Sequence, residues 1–571
     1  MRADRALVVR RRTPAPGSGT AGSPGSPGSA GSAGAAGSPG AAGAVASAPR
    51  RRRSGSPHRP GRPDGPGRPD VDARGTGELG VGWLARRTRP LVLAAACTFV
   101  ALGVGYLLPT KPKDAVALLG GAVVVAAVLL RPVIGAVLLV ALVPATSGFA
   151  PGFPVSHVRL SEAIIGLVGV TLIASVRRTE AVPWDTLDWA LLGYGLTWAA
   201  FAVLDQHQLH EHLTLGAWGS ALGQLQFFLI YRGVRVAVRS ERERRLSLTA
   251  LMVASLPVAA LAVLQEMRVH AVQSFINTLT GGLTGGSAPT AAGSVRVTGP
   301  FVNWAALAGY LLPILLVVVA LALSNSELRR ARWFAAVGVA GGLAMVLTLE
   351  QSAIICGLFG VFVLLRRYDR NGRMTRIFLA ALAVLLVAAS PVLIGRFAHE
   401  LAGTPGSGRI PWVPQTLSFR WGVWTRQYFP AIGARPLRGY GMVYPTSISW
   451  PFPESQYISF LMEGGVLMVA AFAVLTWAML RRTWAAAHAA DPLDRALGFA
   501  LTIGVVSLVV MAFTWPFLSN GGMPQVLWAL MGLLLPVHRP AGTDAGALWR
   551  ASPAAVPDRV EPPTLAIRSA P

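Results

Sequence analysis

Long stretches almost free of charge recur along this 571-residue chain, and they restrict its fold more than any other property. Leu91 to Leu108, Ala115 to Leu130, Leu311 to Leu323 and Ile377 to Ile394 are examples. A helix needs roughly 20 apolar residues to cross the hydrocarbon of a bilayer, and about 17 can suffice. In lipid every backbone N–H and C=O must be satisfied within the protein, which leaves helices or closed barrels. Barrel strands alternate apolar and polar residues, and these stretches do not alternate. The expectation is an all-α polytopic membrane protein. Spans are expected at 91–108, 114–130, 132–147, 158–176, 186–204, 214–234, 246–266, 301–323, 333–349, 352–365, 376–394, 455–479, 496–516 and 523–537. Several are short, so the expected number is twelve to fourteen.

Charge follows the same logic. Only 13% of residues are charged against 53% hydrophobic, while the formal net charge is +25. In a soluble protein that excess would point to nucleic acid. Here sixteen Arg against five acids precede Leu91, and most remaining cations sit in short loops between spans. Arg177 and Arg178, the six Arg from Arg232 to Arg245, the five from Arg366 to Arg376, and Arg481 with Arg482 mark loops on one side. The intervening loops are poor in cations. Basic loops stay cytoplasmic, so both termini are expected in the cytoplasm, with no nucleic-acid partner. Lys occurs only at Lys111 and Lys113, so the choice of Arg says little by itself. Cys97 and Cys356 both fall inside apolar stretches, which argues against a disulfide framework and a cysteine metal site. The first apolar stretch opens near residue 91, too late for a signal peptide.

The 1–88 segment is low in complexity. Pro16 to Pro49 is almost entirely Gly, Ser, Ala and Pro, without charge and without a strict period of three. Such a segment cannot bury enough apolar area to offset its chain entropy, so 1–88 reads as a disordered basic tail. The membrane domain is placed at 89–537, and 538–571 reads as a second disordered tail. Arg50 to Arg53 and Arg86, Arg87 and Arg89 suit contact with an anionic leaflet.

Two loops on the non-cytoplasmic side stand out. One, 267–300, is rich in Gly, Thr and Ser. The other, 396–453, is the large external loop, expected to be partly helical. It holds Arg396, Arg409, Arg420, Arg426, Arg435 and Arg438 against the single acid Glu400, together with Trp412, Trp421, Trp424 and Trp450. Arg pairs with phosphate oxygens, and Trp anchors at the interface and stacks on sugars, so the loop suits an anionic, sugar-bearing lipid. His207, His210 and His212 cluster with Glu211, but they read as a polar loop and no metal is expected. Glu350 and Gln351 divide the apolar stretch Trp333 to Leu365. Glu350 is either a carboxylate at membrane depth or part of a tight turn at the far interface, the latter preferred.

Several short segments carry more. Arg296-Val297-Thr298-Gly299-Pro300-Phe301-Val302-Asn303 opens a span. Ser418-Phe419-Arg420-Trp421 precedes Pro436-Leu437-Arg438-Gly439-Tyr440-Gly441. Glu454-Ser455-Gln456-Tyr457 and Glu463-Gly464-Gly465 follow. Read locally, these are a helix entry, an amphipathic loop helix, a Gly turn and a second helix entry. Taken together, in this order and topology, they resemble the O-antigen ligase and polymerase-like family of bacterial envelope proteins over roughly 155–537. The family's Arg beside a Gly-Phe-Asn stretch is matched by Arg296, Gly299, Phe301 and Asn303. Its Arg, Trp and Pro-Leu-x-Gly-x-Gly turn are matched by Arg420, Trp424 and Pro436 to Gly441, and its Glu-x-Gly by Glu463 and Gly465. Where many members carry Ser-Arg between two short spans, this chain has Glu350, Gln351 and Ser352. Where ligases carry His at the span after the large loop, it has Glu454 to Tyr457.

The resemblance implies a polyprenyl-diphosphate-linked glycan as substrate, transferred or polymerised at the outer face of the cytoplasmic membrane by an inverting, metal-independent and cofactor-free reaction. Arginines would stabilise the leaving diphosphate and a base would deprotonate the acceptor. Arg420 is expected to bind the diphosphate, on an aromatic surface from Trp421 and Trp424. Glu454 is expected in the functional place of the missing His, or else as a cap on the following helix. Arg296, Arg438, Trp421, Trp424 and Glu350 are the expected substrate-binding residues. Two other readings remain open: a transporter or flippase for lipid-linked sugars, and a catalytically silent homologue acting as an assembly partner.

Overall fold

A computed structural model describes residues 111–151, 159–175, 182–208, 215–282, 296–324, 332–369, 371–380, 415–441, 444–519 and 521–534, with isolated positions between 100 and 109 and between 382 and 394. Every regular element among them is helical. Seven helices are long and apolar enough to span: α1 (Pro112–Leu130), α4 (Thr186–Gln208), α7 (Glu241–Glu266), α9 (Trp304–Ser324), α11 (Gln351–Tyr368), α13 (Gln456–Ala487) and α14 (Pro492–Met511). Three shorter apolar helices join them: α2 (Pro132–Thr146), α3 (Leu160–Ala174) and α10 (Arg332–Leu347). The chain is an all-α, polytopic membrane protein.

The remaining expected spans differ in instructive ways. The expected span 214–234 is divided into α5 (Leu215–Leu222) and α6 (Leu225–Ala237), with a turn at Gly223 and Gln224. The last span is the ten-residue α15 (Met523–Gly532). The spans placed at 91–108 and 376–394 fall largely outside the described residues, as do the 1–88 and 538–571 tails. The 267–300 loop contains a helix that composition hid, α8 (His270–Thr280). Its apolar residues, Ile276 and Leu279 among them, fall on one face while Gly281 closes it in the left-handed conformation.

Packing sets the layers. The α9 helix lies at the centre, with 78% of its apolar window buried, and α14 follows at 72%. α1 is peripheral, and its Val116, Leu119, Val123 and Leu130 are exposed. Lipid tails are as apolar as these side chains, so the outward apolar face is the one a bilayer stabilises.

The two ends of the bundle are fastened by different chemistry. At one end Arg232 and Arg235 of α6 pair with Asp188, Arg482 of α13 pairs with Asp185, and Arg244 of α7 bridges Asp491 and Asp494 at the start of α14. At the other end buried glutamine amides hold loop backbone. Gln265 Oε1 accepts from the N–H groups of Thr298 and Gly299 at 2.9 Å each. Gln456 accepts from Leu518 N at 2.9 Å, and Gln525 from Gly522 N at 2.8 Å. A buried N–H without an acceptor costs about 1–3 kcal/mol, so these amides stabilise an end where loops pass close to the core.

Candidate functional site

The site residues gather at the glutamine-held end. The described part of the 396–453 loop begins with helix α12, residues 415–434, which contains a π turn at Trp424–Tyr428. Its side chains hold the return segment that leads into α13. Tyr428 donates its hydroxyl to Trp450 O at 2.6 Å, and Gln427 Oε1 accepts from Ser449 N and Trp450 N. Trp424 donates Nε1–H to Pro453 O at 2.7 Å. The next residue, Glu454, is thereby set opposite Arg420, and its Oε2 accepts from Arg420 Nε at 2.5 Å. Both side chains are about one-fifth to one-quarter exposed, so the pair faces a partly desolvated surface.

Glu454 also has φ = 51°, a left-handed backbone that costs a non-glycine residue roughly 1–2 kcal/mol. Among the described residues only Arg268 and Leu349 share this property. Leu349 immediately precedes Glu350. Strain of this kind persists where the surroundings over-determine a conformation and is frequent at functional sites.

Two expectations about Arg420 and Glu454 need correction. Trp421 does not build a platform for the guanidinium: it is 58% exposed and packs edge-to-face on Phe429. Trp424 acts through Pro453 instead. Nor does Glu454 cap α13. Ser455 is the residue at the cap position, and the Glu454 carboxylate turns to Arg420.

The Gly turn and the Glu-x-Gly segment are one device. Tyr440 N and Gly441 N donate to Met462 O and Glu463 O, and Val466 N donates to Pro436 O at 2.8 Å. The α13 helix is interrupted at Gly465 (φ 62°, ψ −155°), which exposes these carbonyls to the turn. A Cβ at Gly439 would overlap the Met462 carbonyl, and one at Gly465 would overlap Leu437 backbone. Both glycines also have positive φ, so close approach and conformation each require them. The Glu463 carboxyl is enclosed below Gly441 against Trp198, Phe201 and Met468. Tyr444 hydrogen-bonds to it. Burial, reinforced by the Glu463 carboxyl, pushes the Tyr444 phenol up.

A second cluster stands beside this one. Arg296 lies over the Trp304 ring at 4.7 Å, and Trp304 Nε1 donates to Glu350 Oε2 at 3.1 Å. Ser352 donates to Glu350 Oε1 at 2.8 Å. Glu350 is half-buried in the turn between α10 and α11, as preferred from sequence. Asn303 caps α9 by accepting from Ala306 N at 2.8 Å. The clusters are joined through the segment after α14. Trp515 packs 6.0 Å from Trp304, while Ala512 O accepts from Gln456 N at 2.8 Å, two residues past Glu454. Arg420, Glu454, Arg296, Trp304 and Glu350 therefore share one end of the bundle.

Arg438 lies on the turn, exposed, as are Arg426 and Arg435; Arg435 covers the Tyr440 ring at 4.8 Å. Over 415–455 Glu454 is the only acid against Arg420, Arg426, Arg435 and Arg438, so the surface is net cationic. Arg396, Glu400, Arg409 and Trp412 lie outside the described residues, as do His210, Glu211 and His212. Among the described residues no group of three or more His, Cys, Asp or Glu is placed to hold a metal.

Sequence reading passed over Trp304, Trp515 and Gln265. Trp304 directly follows the Arg296–Asn303 segment, and an indole beside a carboxylate-bearing turn was a findable signal. Gln265 gives none, because the backbone groups it holds lie more than thirty residues away. Compared with models of known protein families the chain matches none, and compared with curated proteins it has no match.

Proposed function

We propose that this protein transfers or polymerises a glycan carried on a polyprenyl diphosphate, at the outer face of the cytoplasmic membrane, with both termini cytoplasmic. The alternation of basic and cation-poor loops supports that orientation, because it puts the Arg420 end outside. The observation that carries the reading is the Arg420–Glu454 pair at the junction of a cationic loop and a span.

The pair supplies both roles the reaction needs. An arriving diphosphate is a stronger partner for the guanidinium than one carboxylate, because it offers several anionic oxygens for paired N–H donors. As Arg420 turns to the diphosphate, Glu454 is released with a free carboxylate. That carboxylate then accepts the proton of the acceptor hydroxyl as its oxygen attacks the sugar carbon and the diphosphate leaves. Base and leaving-group stabiliser hold each other until substrate separates them. Arg426, Arg435 and Arg438 add attraction for the anionic carrier, and Arg296, Trp304 and Glu350 offer an aromatic and polar wall for sugar.

The test is an assay of purified protein with a labelled polyprenyl-diphosphate glycan and an acceptor. Release of the carrier diphosphate with glycan extension or attachment is expected. Movement of the labelled lipid between leaflets without its cleavage would favour a flippase, and neither outcome would favour a silent assembly partner.

A further inference from the structure

At the opposite end of the bundle a cavity of about 300 Å³ opens between the start of α4 and the last turns of α13. Pro183, Trp184, Asp185, Arg235, Arg481 and Arg482 contribute to its wall, with Leu187, Ala478 and Leu534 supplying apolar surface. The function proposed above makes no use of it.

We propose that this cavity is a binding site for the phosphate-bearing headgroup of an anionic phospholipid from the leaflet on that side. Charge is the first argument. Among the described residues Arg232, Arg235, Arg481 and Arg482 stand at this end with two aspartates, Asp185 and Asp188, an excess of two positive charges. Asp185 is committed to the cluster. Burial opposes its ionisation, but Arg482 and Arg235 outweigh it and hold the carboxyl below the usual range. Arg481 has no carboxylate among the described residues and lies at the exposed rim, its guanidinium 5.3 Å from the Trp477 ring.

Unused donors are the second argument. The Arg235 side chain is 2% exposed, and its Nε is buried without a hydrogen-bond acceptor among the described residues, as is Nε of Arg482. Buried guanidinium donors are costly to leave unmatched, and a phosphate oxygen is the acceptor suited to them. Depth is the third. Trp184, Trp189, Trp477 and Trp484 are all 45–61% exposed around this end. Exposed Trp collects at the headgroup level of a bilayer, so the cavity sits where lipid phosphates lie. Its mixed walls match a headgroup with the first carbons of its chains.

The experiment uses the full chain purified in a mild, uncharged detergent. Phosphatidylglycerol, phosphatidylcholine and inorganic phosphate are added separately, and binding is read by native mass spectrometry and by the thermal midpoint. Phosphatidylglycerol should bind and raise the midpoint, while phosphatidylcholine and inorganic phosphate should not. Arg481→Gln removes a cation that holds no ion pair among the described residues and should weaken phosphatidylglycerol binding about tenfold, with recovery in Arg481→Lys. Arg376→Gln, an exposed cation at the same end, should leave binding unchanged. Equal protection by phosphatidylcholine, equal protection by inorganic phosphate, or equal loss in Arg376→Gln would each overturn the proposal. Unaltered phosphatidylglycerol binding in Arg481→Gln would overturn it as well.

Discussion

On the proposed function the ion pair of Arg420 and Glu454 combines two roles that point mutation can separate. Arg420→Lys keeps the charge but loses the planar fork, so turnover in the labelled-lipid assay should fall about tenfold or more. Glu454→Gln removes the proton acceptor and should lower turnover by about 10²–10⁴-fold, the span general-base groups supply. The thermal midpoint should move little in either, because a single pair still open to solvent contributes roughly 1 kcal/mol. Retained activity in Glu454→Gln would end its assignment as base. Sequence identified both residues but not their mutual contact. Thirty-four positions separate them, and the Trp424–Pro453 bond that aligns them is a side-chain-to-backbone contact with no sequence signature.

At the scale of elements, the docked Pro436–Gly441 turn is where sequence motif and structure agree most closely. Sequence marked this turn and the Glu463–Gly465 segment as separate features; contact makes them one. Gly439→Ala and Gly465→Ala each force a side chain into backbone and into a left-handed conformation. Each should destabilise the protein by about 2 kcal/mol or more, measured as a lower thermal midpoint in detergent. Gly422→Ala, in α12 with open space around its Cβ, is the control and should not destabilise, since Ala is the better helix former. The spans themselves were readable because uninterrupted apolar length is a local property. The division of 214–234 was not, since Gly223 and Gln224 interrupt a stretch whose hydropathy alone reads as continuous. Helix α8 was hidden for the opposite reason: the Gly-rich composition of 281–286 coloured the whole loop, while the apolar face of 270–280 is visible only at helical spacing.

For the whole molecule, the ionic character of one end makes its stability titratable. Partial burial opposes the ionisation of Asp185 and Asp491, yet their arginine partners hold them below the usual carboxylate range. A lowered folded-state value means that these groups stabilise the fold fully above the unfolded value of about 3.9, and that the contribution is lost as pH falls through the lowered values. The thermal midpoint should be flat from about pH 7 to 5 and drop below about 4, and Asp491→Asn should flatten that drop. Orientation has its own test. A reporter active only outside the cytoplasm should signal when fused at Gly408 and stay silent at Asn371; the reverse would invert the assignment. The tie between the 436–441 turn and α13 has a kinetic counterpart. Amides in surface loops ordinarily trade their protons for deuterium quickly, because little must open to expose them. Tyr440 and Gly441 donate to helix carbonyls beside the interruption, Val466 donates back to Pro436 O on the turn, and those bonds break only if the turn leaves the helix. In deuterated buffer Tyr440 and Gly441 should exchange as slowly as Val466 and its neighbours inside α13, a slow-exchanging island within a segment that its sequence marks as a connection.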